Sequence, residues 1–131
     1  FAGAYNPIIY FQNGKSQQLK GDKIIIGGHH GTKRDDNFKT QTVNLDTETT
    51  LYLFSDGYVD QFGGDNDRKF MIRQFKNLLQ EIHQKPMLEQ KNILESTMDK
   101  WKQGRTQIDD ILVMGLVIKN PIMDTLKTVI I

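Results

Sequence analysis

Three aspartates stand where carboxylates can do chemistry. Asp56 follows the apolar run Leu51–Phe54 after one serine in LYLFSDGYVDQFGG, and Asp109 and Asp110 directly precede Ile111–Ile118 in QIDDILVMGLVI. A strand end is a rigid place from which to aim a side chain. If the two runs are neighbouring antiparallel strands, the end of one meets the beginning of the other and the carboxylates gather at one edge of a sheet. Converging carboxylates repel each other unless a cation or protons compensate. Hard ions such as Mg²⁺ or Mn²⁺ take oxygen ligands, so a metal site is the functional reading. A plainer reading fits the same residues: Asp-Gly is a common turn, and an Asp before a strand can simply cap a loop. The residue pattern alone leaves both open.

Other chemistry is sparse. Without cysteine there is no disulfide, thiolate metal site or cysteine nucleophile. His29 and His30 lie in the glycine-rich, charged stretch GGHHGTKRDDN (27–37), which reads as a loop, with Lys33 and Arg34 nearby to meet a phosphate. Asp65-Asn66-Asp67 begins like a calcium loop, but Arg68, Lys69 and Phe70 break that pattern. His83 falls between two helical segments and is expected to be exposed. Lys85, Lys91, Lys100 and Lys102 read as solvated helix faces.

The elements that must position the aspartates follow from periodicity. Ala2–Tyr5 and Ile8–Gln12 are β-prone, Asn13-Gly14 is a hairpin turn, and Ser16–Lys20 is the return strand. Lys23–Ile26 is a short apolar run, Phe38–Leu45 alternates like a half-exposed strand, and Thr50–Phe54 reads as a strand covered on both faces. The period then changes. Met71, Phe75, Leu78, Leu79 and Ile82 share one face of an amphipathic helix, and Met87, Leu94, Met98 and Trp101 share a face of a second. Pro86 suits the opening of that second helix and Gly104 its end. Ile111–Ile118 is a core strand closed by Asn120-Pro121, and the tail Ile122–Ile131 has no evident partner. Strands first and helices grouped later predict an α+β fold, an antiparallel sheet with two helices packed on one face.

Size and charge narrow the partners. A chain of 131 residues with 37% apolar and 25% charged residues suits one folded domain. A formal net charge of +1 gives no broad electrostatic reason to expect nucleic acid or an anionic membrane. No apolar run approaches the roughly 20 residues of a membrane span, so a cytoplasmic setting is the default expectation. The chain opens on Phe1, already in a strand-and-turn pattern, and is expected to begin inside a domain.

Taken in order, FAGAYNPIIYFQNGK, IIIGG, LYLFSDGYVDQFGG, a helical pair and QIDDILVMGLVI resemble the C-terminal half of a PPM-type protein phosphatase, most nearly the bacterial SpoIIE-like branch. That branch shows an Ala-Gly-x-x-Pro-like strand, a strand ending in (Ser/Thr)-Asp-Gly and a closing Asp-Asp strand. Here Asn6 intervenes before Pro7. The match runs over residues 1–119, leaving 120–131 as a C-terminal tail. The resemblance implies half of an αββα sandwich, with Asp56, Asp109 and Asp110 as metal ligands, Asp109 ahead of Asp110. It also implies that Gly57 lets the backbone approach the metal site and that His29 and His30 lie in a flap beside it. Two Mn²⁺ or Mg²⁺ ions would bind a phosphoryl group and activate water, so no side-chain nucleophile is needed. The implied substrate is a phosphoserine or phosphothreonine protein, in the SpoIIE-like branch an anti-sigma-factor antagonist, in bacterial signalling. The family's upstream Asp-x-x-Gly-His-Gly-like motif has no counterpart here, since GGHHG lacks the upstream Asp. The chain is therefore expected to hold about half of a metal site, to be nearly inactive alone, and to pair with a second copy through an uncovered sheet. The alternatives are a pseudophosphatase or a non-catalytic interaction domain of the same fold.

Overall fold

A computed structural model describes residues 1–24, 38–119 and 127–130, the last four as backbone. Asn13 and Gly14 take left-handed backbone angles (φ 49° and 72°) and turn β1 (Ile8–Gln12) tightly into β2 (Lys15–Leu19). The sheet continues through β3 (Thr49–Phe54), β6 (Val113–Ile118) and β7 (Lys127–Ile130) in the order β2-β1-β3-β6-β7, every pair antiparallel. The tail thus supplies an edge strand to the sheet. Between β3 and β6 the chain forms the single turn α1 (Gly57–Asp60), the small hairpin β4 (Phe62–Gly63) with β5 (Arg68–Lys69), and the helices α2 (Met71–Ile82) and α3 (Met87–Lys102). The α+β architecture expected from the sequence is the one observed.

Strand alternation sorts the sheet's side chains onto two faces. Ile9 and Phe11, Tyr52 and Phe54, and Val113 form one apolar surface. It is buried with Tyr58 of α1, Phe70, Phe75, Leu79 and Ile82 of or beside α2, and Leu94 and Met98 of α3. Aromatic rings lock the layer: Phe54 meets Phe75 edge-on at 4.9 Å between centroids, and Phe70 meets Trp101 at 5.2 Å. Polar groups caught in this layer are paired. The Tyr52 hydroxyl donates to Gln90 Oε1 (2.6 Å), whose Nε2 donates to the carbonyls of His83 (3.2 Å) and Lys85 (2.7 Å). One buried glutamine thereby ties the sheet to the α2–α3 connection. The Tyr58 hydroxyl donates to the Leu94 carbonyl at 2.9 Å. Burial pushes both phenols well above their ordinary pKa.

Several expectations are corrected. Ala2–Tyr5 is not a strand; it contributes a single bridge from Ala4 to Asp22. Nor is Phe38–Leu45 a strand. Its polar groups find scattered partners instead of a ladder: Gln41 N–H donates to the Phe1 carbonyl (2.8 Å), Lys39 N–H to Asp22 Oδ2 (2.8 Å), and Gln12 Nε2 to the Asn44 carbonyl (2.6 Å). Met71 opens α2 with φ 72° and stands 54% exposed, because a left-handed residue points away from the helix's apolar stripe. His83 is buried, not exposed. Its ring stacks on Phe11 at 4.3 Å, Nδ1 donates to the Gln80 carbonyl (2.8 Å), and Nε2 has no partner among the described residues. Lys23 and Ile24 take no strand structure, and the rest of that expected run lies outside the described residues.

Candidate metal centre

The register of the central pair decides how the aspartates meet. β3 and β6 run antiparallel with Phe54 opposite Val113, so the chain leaving β3 passes the chain entering β6. Ser55 N–H extends the ladder one step further to the Leu112 carbonyl (3.0 Å). Asp56 comes next on one side, and Asp110 and Asp109 lie on the other. All three are exposed at this end of the sheet.

The two turns touch through their backbones. A methyl placed on Gly57 would lie 2.3 Å from the Asp110 carbonyl oxygen and 2.7 Å from its carbon. Gly57 is itself buried, so the absence of a side chain permits the close approach of the two acidic turns. The Asp110 carbonyl stands where a Gly57 side chain would otherwise project.

Asp56 occupies the N-cap position of α1, yet its side chain makes no capping bond. Among the described residues the carboxylates of Asp56 and Asp110 have no hydrogen-bond or ion-pair partner. Asp109 differs, since its Oδ1 accepts the Asp110 N–H at 2.7 Å. By backbone position Asp110 stands against the Asp56–Gly57 turn, and Asp109 is one residue further out.

Two side chains that sequence reasoning passed over hold this arrangement. Ser55 Oγ donates to the Asp110 carbonyl (2.6 Å) and accepts the Leu112 N–H (2.9 Å). Gln61, fully buried, donates from Nε2 to the Thr106 carbonyl (3.1 Å), and its Oε1 accepts the Ile108 N–H (3.3 Å). The only hint in the sequence was the serine of Ser-Asp-Gly; nothing local marked Gln61.

The comparisons with known proteins bear on what the site is for. The family model for Stage II sporulation protein E matches residues 1–119. The chain belongs to the SpoIIE family. A solved structure, the SiaA-PP2C domain of Pseudomonas aeruginosa, superposes with a TM-score of 0.72 at 29% identity, over 84% of this chain. The chain spans 42% of the length of that solved chain. A search of curated proteins returned no match. The domain is therefore of phosphatase type, from a group that is generally metal-dependent.

The donors suit a hard divalent cation in type, being carboxylate oxygens held at a rigid strand end. They do not make a complete shell: among the described residues, no three acidic, histidine or cysteine side chains form a group that could hold an ion. His29 and His30 lie outside the described residues. No helix among the described residues is long and apolar enough to cross a membrane.

Proposed function

We propose that this SpoIIE-family chain is the part of a protein serine/threonine phosphatase that carries one side of its metal site, with Asp56, Asp110 and Asp109 facing Mn²⁺ or Mg²⁺. The observation that carries this reading is the pair of uncommitted carboxylates, Asp56 and Asp110, on backbones packed together through Gly57. Exposed carboxylates without a partner among the described residues, on backbones packed together, support a role in holding a ligand over a role in the fold. Bound cations would supply electrostatic stabilisation to a phosphoryl group and acidity to water. This chain's residues would hold the two turns at fixed separation and offer oxygen donors.

The remaining donors would come from outside the described residues. The 42% span of the solved relative supports that reading, as does the face of the sheet turned away from the helices, where Leu53 is 36% exposed beside Met114 of β6. The substrate in this reading is a phosphorylated protein, of the anti-sigma-factor-antagonist kind that the resemblance implies, and a second copy is the candidate partner for the uncovered sheet.

The test is Mn²⁺-dependent hydrolysis of p-nitrophenyl phosphate by the protein at its full natural length, beside Asp56→Asn. Activity that falls at least a hundredfold in Asp56→Asn, with thermal stability unchanged or raised, is the expected result. A folded full-length protein without activity at any Mn²⁺ or Mg²⁺ concentration would leave the pseudophosphatase or interaction-domain reading in its place.

A further inference from the structure

We propose that Ser55 and Gln61 are positioning residues, a two-point clasp that holds the segment 106–112, and with it Asp109 and Asp110, in register with Asp56. The inference rests on the metal-site reading above and adds to it the residues that set the site's geometry.

The β3–β6 pairing ends at Phe54 and Val113, and one further backbone bond, from Ser55 N–H to the Leu112 carbonyl, still stops short of the aspartates. Beyond it, Thr106 to Asp110 is exposed at every residue and has no regular structure. Left alone, such a segment would sample many conformations, and two carboxylates would drift relative to the third. The clasp replaces the missing ladder. Ser55 and Gln61 flank Asp56 along the chain, one just before it and one just after α1. Their partners flank Asp109 in the same way: Gln61 holds Thr106 and Ile108 on one side, and Ser55 holds Asp110 and Leu112 on the other.

All four of these bonds go to backbone atoms. They fix where the acidic residues sit and leave the carboxylates free, which is what a site awaiting a cation requires. The clasp is itself anchored. The Gln61 carbonyl accepts both the Phe70 N–H (3.0 Å) and Trp101 Nε1–H (3.0 Å), so its backbone is tied to the helical layer. The Gln61 Nε2 also donates to the neighbouring Phe62 carbonyl (3.1 Å), but with no exposure Oε1 has no water to turn to if Ile108 moves away.

The experiment uses the full-length protein as wild type, Ser55→Ala, Ser55→Thr and Gln61→Met. Amide hydrogen exchange is measured at Ile108 and Leu112 without metal, and Mn²⁺ binding is followed by loss of the free-ion paramagnetic resonance signal. Ser55→Ala should speed exchange at Leu112 about tenfold and weaken Mn²⁺ binding about tenfold, with Ser55→Thr restoring both because it returns the hydroxyl. Gln61→Met should act in the same direction at Ile108; since Gln61 is buried and that variant can fail to fold, the half-buried Ser55 carries the decision. Unchanged Mn²⁺ binding in Ser55→Ala, or unchanged Leu112 exchange, overturns the clasp while leaving the metal reading intact. A wild type that binds no Mn²⁺ overturns the metal reading, and the positioning role falls with it.

Discussion

Replacing Gly57 by alanine sets two physical effects against each other, and their signs differ. Gly57 is the first residue of α1 and its backbone is not left-handed. On helix propensity alone, alanine should stabilise by up to about 1 kcal/mol, less in a single turn. The steric effect opposes this. The new methyl carbon would lie 2.3 Å from the Asp110 carbonyl oxygen, about 1 Å inside the 3.4 Å at which ordinary contact begins. The obstacle is backbone held by Ser55 on one side and β6 on the other, so no flexible side chain can swing aside. Overpacking against fixed backbone costs roughly 1–3 kcal/mol or more. The steric term wins, and the net expectation is a loss of about 2 kcal/mol.

Urea or thermal unfolding reads this directly, with a midpoint lowered by roughly 6–10 °C for a domain of this size. Gly115→Ala is the control. There the methyl would meet the Met87 sulfur at 3.2 Å and the Tyr52 ring at 3.4 Å, and the methionine end can yield, so the loss should stay below about 1 kcal/mol. Because relief at Gly57 must separate the two acidic turns, the same substitution should also raise the Mn²⁺ concentration needed for activity in the full-length protein. Gly57→Ala as stable as wild type, or more stable, would refute the claim that the two turns are packed backbone to backbone.

Further outcomes follow from other buried groups. Gln90→Leu should cost about 2–4 kcal/mol in chemical unfolding, because it strands the Tyr52 hydroxyl and the carbonyls of His83 and Lys85 in the core. His83→Phe should stay within about 1 kcal/mol of wild type, since it keeps the stack on Phe11 and removes the unpartnered Nε2 but loses the Nδ1 bond to the Gln80 carbonyl, whereas His83→Ala should lose about 1–3 kcal/mol by opening a cavity. Tyr52 and Tyr58 both have raised pKa values from burial, so the folded state keeps protons that the unfolded state gives up above about pH 10. Their contribution is fully present below pH 10 and falls as pH rises beyond it, by up to about 2.7 kcal/mol per pH unit for the pair; Tyr52→Phe and Tyr58→Phe should each halve that slope.

How much of this was legible in the sequence depended on the range of the interaction. The Asn13-Gly14 hairpin, the stripe of Phe75, Leu79 and Ile82, and the face shared by Leu94 and Met98 are set by neighbours within a few residues, and each appears as expected. Phe38–Leu45 alternated like a strand, but alternation records only which side is half covered. Its partners are the start of the chain, Asp22 and Gln12, and no local pattern announces them. His83 was misjudged for a similar reason: a histidine after a helix is usually wet, and its burial comes from Phe11, a distant strand residue.

The site divides in the same way, which is why its acids were visible and its supports were not. A carboxylate at the end of an apolar run is conspicuous because charge there opposes the local pattern. A serine or a glutamine opposes nothing. Ser55 and Gln61 become informative only once the β3–β6 register brings residues 106–112 alongside, for then each side chain has two backbone partners in that segment. The same reasoning separates the two meanings of Gly57. From sequence it was a small residue beside an acid. In the fold it is the point where two acidic turns meet without a side chain between them, so a change at Gly57 acts on the separation of the turns that carry Asp56 and Asp110.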